Sequence, residues 1–260
     1  MQTDTDSRSA PARIQWSFSE APELVLTISP ARVARFLAFI VGFLAVAGVS
    51  CDIAQFAFGY DRLFGLVPLL RLDLEQNLPT WYQSLALLLA AGIMAAIGVR
   101  RRGAGDPIGR YWLLLAGIFL FLSADEAASV HEKVLRVMQS LHHFTGVFHF
   151  PWVIPGMLLV VCLGLYYARF LLHLPLRTGL LTVLAALIYL SGALGMEMVG
   201  GRYADLHGEN NLNYALLTSI EEILEMSGIV LLIFALLDHA ANGHKSFQVC
   251  LSFKGSNHSS

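Results

Sequence analysis

The stretch NYALLTSIEEILEMSGIVLLIFALLD, from Asn213 to Asp238, is long and apolar enough to cross a membrane, yet it carries Glu221, Glu222 and Glu225. At about 1.5 Å per helical residue, some twenty residues traverse roughly 30 Å of hydrocarbon. No Lys or Arg lies within the stretch to neutralise the acids. At about 100° per residue, Tyr214, Thr218, Glu221, Glu222, Glu225 and Gly228 fall within a wedge of roughly 120°. The segment therefore reads as a membrane span with one polar stripe.

The rest of the chain has the same character. Of its 260 residues, 56 % are hydrophobic and 14 % charged, where a soluble domain carries about 25 % charged residues. The mean hydropathy is +0.61. A net charge of −2 gives no basic surface, which excludes nucleic acid as a partner and leaves the lipid bilayer as the medium the chain must meet. Cys51, Cys162 and Cys250 have no spacing for a disulfide framework or a thiolate metal site; Cys51 and Cys162 read as small apolar fillers of packed helices.

Six spans follow, at about 33–56, 81–100, 111–133, 152–173, 178–200 and 213–238. Pro79, Pro107, Pro151 and Pro175 punctuate their starts. Arg32 and Arg35 precede the first span, Arg100, Arg101, Arg102 and Arg110 fill the loop after the second, Arg169 and Arg177 flank a later turn, and Lys245 follows the last. The positive-inside rule places all of these in the cytoplasm. The fold class is thus an all-α, polytopic integral membrane protein with six transmembrane helices and both termini cytoplasmic, expected in the inner membrane of a bacterial cell.

The domain expectation is a tail over 1–31, a six-helix domain over 32–239 and a second tail over 240–260. The start of the chain lacks the basic and apolar signature of a signal peptide. Ile14 to Ile28 fits either a short strand or an interfacial piece. The outer loop from Phe64 to Leu78 alternates apolar and charged residues, as a segment lying on the outer leaflet does, with a functional lid as the alternative. Tyr60, Trp81, Tyr82, Phe144, Phe148, Phe150 and Trp152 read mostly as interfacial belt.

This orientation gathers the intramembrane acids on one side. Asp52 and Gln55 close the first span, Asp125, Glu126 and Glu132 the third, and Glu197 the fifth, while Glu221 to Glu225 come early in the sixth. Asp125, Glu126, Ser129 and Glu132 share a helical wedge, from which His131 points away unless the helix unwinds after Ala128. Each ionised acid at the centre of a span costs roughly 2.5–3.5 kcal/mol. Protons, water or a bound cation must compensate them. Arg62, Arg71, Lys133, Arg136 and Arg202 are expected only at the outer rim, with Glu132 and Arg136 as an exposed pair. Ser191, Gly192, Gly195, Gly200 and Gly201 read as close-packing positions around Glu197.

Carboxylates on facing helices beside an imidazole suit divalent metals such as Fe, Mn, Zn or Mg. The candidate ligands are Glu197, Glu221, Glu222, Glu225 and His131, with Asp125 and Glu126 as candidate catalytic groups. His142, His143, His149 and His207 are further imidazoles in outer loops. The leading functional expectation is an outer-half carboxylate pocket that binds a divalent cation or protons, for transport or metal-dependent membrane chemistry. The alternative is an accessory or assembly subunit whose acids pair with membrane-protein partner subunits.

Two short runs carry resemblances. Ser123-Ala-Asp125-Glu126 resembles a run in the alkaline-ceramidase-like membrane hydrolases, a family with seven spans and a zinc held by three histidines. Six spans without paired intramembrane histidines depart from that pattern, so the activity does not carry over. Glu221-Glu222-Ile-Leu-Glu225 is similar to the Glu-x-x-Glu helices of iron permeases, which implies cation handling.

Overall fold

The computed structural model describes residues 23–141, 144–242, 244 and 247–252, and the chain divides into two compact units. The smaller is built on a two-stranded pairing of β1 (Glu23–Ile28) with β2 (Phe247–Ser252). Of the segment that fitted either a strand or an interfacial piece, the described part is strand. His142, His143, Lys245 and most of both tails lie outside the described residues, as does the side chain of Glu132.

The larger unit is helical. α1 (Pro30–Phe58) leads through a short turn into α2 (Leu66–Leu70), and α3 (Leu78–Gly103) and α4 (Gly109–Ala128) follow. α5 (Val130–Leu141), α6 (Val153–His173) and α7 (Leu176–Leu190) come next. A π-helical turn, Ser191–Met196, joins α7 to α8 (Glu197–His207), and α9 (Leu212–Ala240) completes the unit. Proline or asparagine marks the starts: Pro30 opens α1, and the side chains of Asn77 and Asn211 accept the amides of Thr80 and Tyr214 at 3.1 and 3.0 Å.

Among the described residues, five helices are long and apolar enough to cross a membrane: α1, α3, α4, α6 and the continuous helix from Leu176 to His207. α9, which carries the three glutamates, runs through the middle of the unit with α1, α3 and α7 packed on it. Met226, Ile229, Ile233 and Leu236 on α9 are almost wholly buried, whereas Phe36, Phe39 and Phe43 on α1 and Leu158, Leu165 and Leu172 on α6 face outward. An apolar exterior of this extent suits lipid. Cys162 belongs to that exterior and is not a packing filler; Cys51 is buried.

Two expected spans are redrawn. The third stops at Ala128, because Ser129 adopts the left-handed conformation (φ 49°, ψ 49°) and α5 starts a new, strongly amphipathic helix. Continuing α4 would have carried Lys133 and Arg136 along the span; breaking it suits an interfacial segment. The fifth runs on to His207 instead of ending near residue 200, since Gly200 and Gly201 remain helical and the backbone absorbs an extra residue as a π turn.

The loop from Phe64 to Leu78, expected to lie on a leaflet, is more deeply folded than that. Phe64, Leu66 and Leu69 face outward, but Val67 and Leu72 are buried against α1. Gly48 permits this approach: a Cβ there would sit 2.8 Å from Leu72 Cγ and 3.0 Å from the Leu70 carbonyl.

Candidate functional site

Asp52 on α1 has no solvent exposure. Arg71, which the sequence placed at the outer rim, reaches inward from the loop to meet it. Its Nε lies 2.9 Å from Asp52 Oδ1, and its terminal nitrogens donate to Gln55 Oε1 and Asp73 Oδ2 at 2.6 Å each. The guanidinium stacks over Phe56, 5.1 Å from the ring centre. The other Asp52 oxygen accepts from Ser219 on α9 at 2.8 Å. Burial pushes the Asp73 carboxyl above its usual range even though Arg71 opposes the shift.

The polar stripe of α9 faces α3, the π turn and α8. Glu225 accepts from Gln83 Nε2 on α3 at 3.1 Å and is hydrogen-bonded to the Tyr189 side chain. One turn towards the start of α9, Glu221 is hydrogen-bonded to Glu197, the first residue after the π turn. Glu197 also accepts from Trp152 Nε1 at 2.7 Å. Gly192, inside the π turn, lets the two segments touch: a Cβ there would stand 2.7 Å from the Glu221 carbonyl and 3.0 Å from Glu225 Cγ. Gly228, counted on the stripe by periodicity, packs against the Tyr189 backbone instead. Of the other small residues around Glu197, Gly201 meets Phe150 closely, while Gly195 and Gly200 have room.

The break at Ser129 brings His131 back towards α4. Asp125 accepts from the His131 backbone amide at 2.8 Å, and its second oxygen lies 3.2 Å from His131 Nδ1. Glu75, from the loop before α3, accepts from Ser129 Oγ at 3.1 Å and stands 4.0 Å from His131 Nε2. Burial disfavours the imidazolium, but the hydrogen bond and charge of Asp125, with Glu75 and Glu126 behind them, outweigh it and raise His131 to about 9. At neutral pH His131 is therefore a cation among acids. A metal would have to displace that proton before using the ring as a ligand. Glu126 lies within electrostatic reach of Glu225, Glu75 and His131.

His149 and His207 contact only neighbouring residues. His149 approaches Glu209 at 3.5 Å and Asp205 at 4.0 Å, while His207 stacks on Tyr203 at 4.5 Å. Arg202 sits exposed near Asp205, and Lys133 donates to the Ala128 carbonyl.

These elements line an open-mouthed cavity of about 400 Å³. Glu197, Glu221, Glu222, Asp73 and Glu209 line it, against Arg71 and His131. Phe56, Leu135, Phe150, Trp152, Tyr214 and Thr218 supply much of the remaining wall. Glu225 and Glu126 are not part of this lining. Among the described residues no group of three or more His, Cys, Asp or Glu side chains stands in an arrangement that could hold a metal ion. Glu197, Glu221 and Glu222 share a chamber and have not converged on one point.

Residues 33–240 match a family model described as a domain of unknown function, DUF8692. The chain belongs to the DUF8692 family. No curated protein and no solved structure matches it. The DUF8692 match encloses every residue of the site, from Asp52 to Glu225.

Within this DUF8692 domain the structure brings together most of the acids expected from sequence. Glu197, Glu221 and Glu222 share the cavity; Glu225 lies one turn further along α9, Glu126 on α4 is within its electrostatic reach, and Asp125 is bound to His131. Sequence patterns did not single out Gln83, Asp73, Glu75 or Tyr189. Gln83 did carry a signal, since an amide in the apolar α3 must find a partner.

Proposed function

We propose that this DUF8692 protein is a six-span protein of a bacterial inner membrane, whose outer-half carboxylate pocket takes up a divalent cation in exchange for protons. In this reading α9 is the sixth span, both termini are cytoplasmic, and residues 32–239 form the membrane domain between two tails. The observation that carries it is the contact between Glu197 and Glu221. Two carboxyl groups in contact hold a shared proton or a bridging cation, so the same oxygens accept either. A hard cation such as Mg²⁺ or Mn²⁺ keeps several waters and needs only one or two carboxylates, which the pair supplies without a third fixed ligand. Glu222 and Glu225 add charge below it, and Trp152 and Gln83 hold one oxygen of Glu197 and of Glu225 in place. Asp125 positions His131, and Glu126 stands where it can pass protons to Glu225. Exchange of this kind suits transport, and a substrate at the same cation would turn it to metal-dependent chemistry at the outer leaflet.

Metal analysis of detergent-purified protein tests the proposal. The expected result is about one equivalent of Mn²⁺ or Mg²⁺, lost in the Glu197→Gln plus Glu221→Gln variant. Less than about a tenth of an equivalent, unchanged by the substitutions, removes the reading.

A further inference from the structure

The cavity is larger than an inorganic ion needs. With about 30 Å³ per water, six waters around a cation occupy roughly 180 Å³, less than half of the 400 Å³ available. The volume falls instead among pockets for small organic molecules.

Its walls have a matching chemistry. Phe56, Phe150, Trp152 and Tyr214 contribute aromatic rings beside the carboxyl groups. The electron-rich faces of aromatic rings attract organic ammonium groups, and the acids supply the counter-charge. The Trp152 ring is held in place: its N–H is bound to Glu197, and its six-membered ring packs on Gly156, where a Cβ would stand 3.2 Å from Cζ3. The two cations on the wall are already engaged, Arg71 by Asp52, Gln55 and Asp73, and His131 by Asp125.

An unsatisfied acceptor lies on the same wall. Asp73 Oδ1, on the cavity wall, is buried without a hydrogen-bond partner. A buried acceptor left unpaired costs about 1–3 kcal/mol and is met by an incoming N–H donor. Such donors belong to a primary ammonium and not to a quaternary one.

We infer that the cavity binds a primary alkylammonium group, its N–H bonds directed to the carboxyl groups and its carbon chain against the aromatic wall. This rests on the cation-binding reading of the same pocket and names the class of organic cation it takes. Two sources offer the group: a free amine in the outer aqueous phase, or the headgroup of an aminophospholipid in the outer leaflet.

Calorimetric titration of the full-length protein tests the inference. The probes are ethanolamine with protein in phosphatidylglycerol nanodiscs, and phosphatidylethanolamine added to the same nanodiscs. Saturable ethanolamine binding supports the inference with a free amine as source; binding confined to phosphatidylethanolamine supports it with the lipid as source. Trp152→Leu is expected to weaken either by about tenfold, and Trp152→Phe, which keeps a ring, by less. Mn²⁺ titration of the wild-type protein without amine separates the two ideas. Mn²⁺ binding with neither amine bound overturns this inference alone. Failure of all three probes overturns the cation reading as well, and amine binding equal to that of tetramethylammonium overturns the preference for N–H donors.

Discussion

Arg71 and Asp52 form a buried ion pair with 2.9 Å between Nε and Oδ1, and it ties the loop between α1 and α3 into the bundle. Both side chains are almost fully removed from solvent, at 8 % and 0 % exposure. Desolvating two charges offsets much of their attraction, so the pair is a weak source of net stability, but removing one partner strands the other. Arg71→Ala is expected to destabilise the protein by about 3–5 kcal/mol, read as a large fall in thermal midpoint in detergent. Asp52→Asn combined with Arg71→Met should be less damaging than Arg71→Ala alone. Equal losses in the single and double variants would show that the pair is not the contact that matters.

The hinge at Ser129 makes the docking of α5 depend on pH. His131 titrates at about 9 when folded, above its ordinary 6.5. A raised pKa gives stability that is complete below the unfolded value and is lost as pH climbs through the folded one. The window therefore runs from about 6.5 to about 9. The full shift corresponds to about 3 kcal/mol, which the 32 % exposure of the His131 side chain discounts to ~2 kcal/mol. Histidine-selective NMR on the wild type should show this late titration, and Asp125→Asn should move it down towards neutrality. A midpoint near 6.5 in the wild type would break the link between Asp125 and His131.

Cation uptake should release protons. If Glu197 and Glu221 share one, a metal that bridges them displaces it. Calorimetry of Mn²⁺ binding in two buffers of different ionisation enthalpy is expected to give different apparent heats, corresponding to about one proton released per cation. Glu221→Gln should abolish the difference. Identical heats in both buffers for the wild type would rule out the exchange.

The stripe on α9 was legible in the sequence because both of its signals are local. Helical period fixes which residues share a face, and acids are rare enough in apolar helices to stand out. Glu221, Glu222, Glu225 and Glu197 followed from that alone. The position of His131 did not, since it depends on a left-handed backbone at Ser129, a residue type that gives no hint of one. Periodicity showed only that His131 needs an unwound helix to join the acids, and the helix does break there. Arg71 was assigned to the rim because its loop looks interfacial; its long side chain folds inward, a choice made by the buried Asp52 and not by neighbouring sequence. Asp73 and Glu75 were hidden by lying in a loop where acids are unremarkable.

Orientation is open to a direct test. In a background with Cys51, Cys162 and Cys250 replaced by alanine or serine, a cysteine at exposed Thr145 should react with a membrane-impermeant maleimide on intact cells. A cysteine at exposed Ala104, beside the arginines that end α3, should react only after the membrane is opened. The reverse pattern would move the carboxylate pocket to the cytoplasmic half and end the outer-half reading.

Gly192 sets how closely the π turn approaches α9, and it separates packing from chemistry. A methyl group there would press on the Glu221 carbonyl at 2.7 Å and on the Glu225 amide at 3.2 Å, both backbone atoms that cannot rotate away. Overpacking of this kind costs about 1–3 kcal/mol. Gly117, in the middle of α4, has nothing within 4 Å of its virtual Cβ, so Gly117→Ala should be neutral or stabilise by up to about 1 kcal/mol through helix propensity. Gly192→Ala is therefore expected to lower both the thermal midpoint and the Mn²⁺ affinity, because the shift it forces separates Glu197 from Glu221. Gly117→Ala should lower neither. If Gly192→Ala lost stability but kept full affinity, the register between the π turn and α9 would not be what holds the carboxyl pair together.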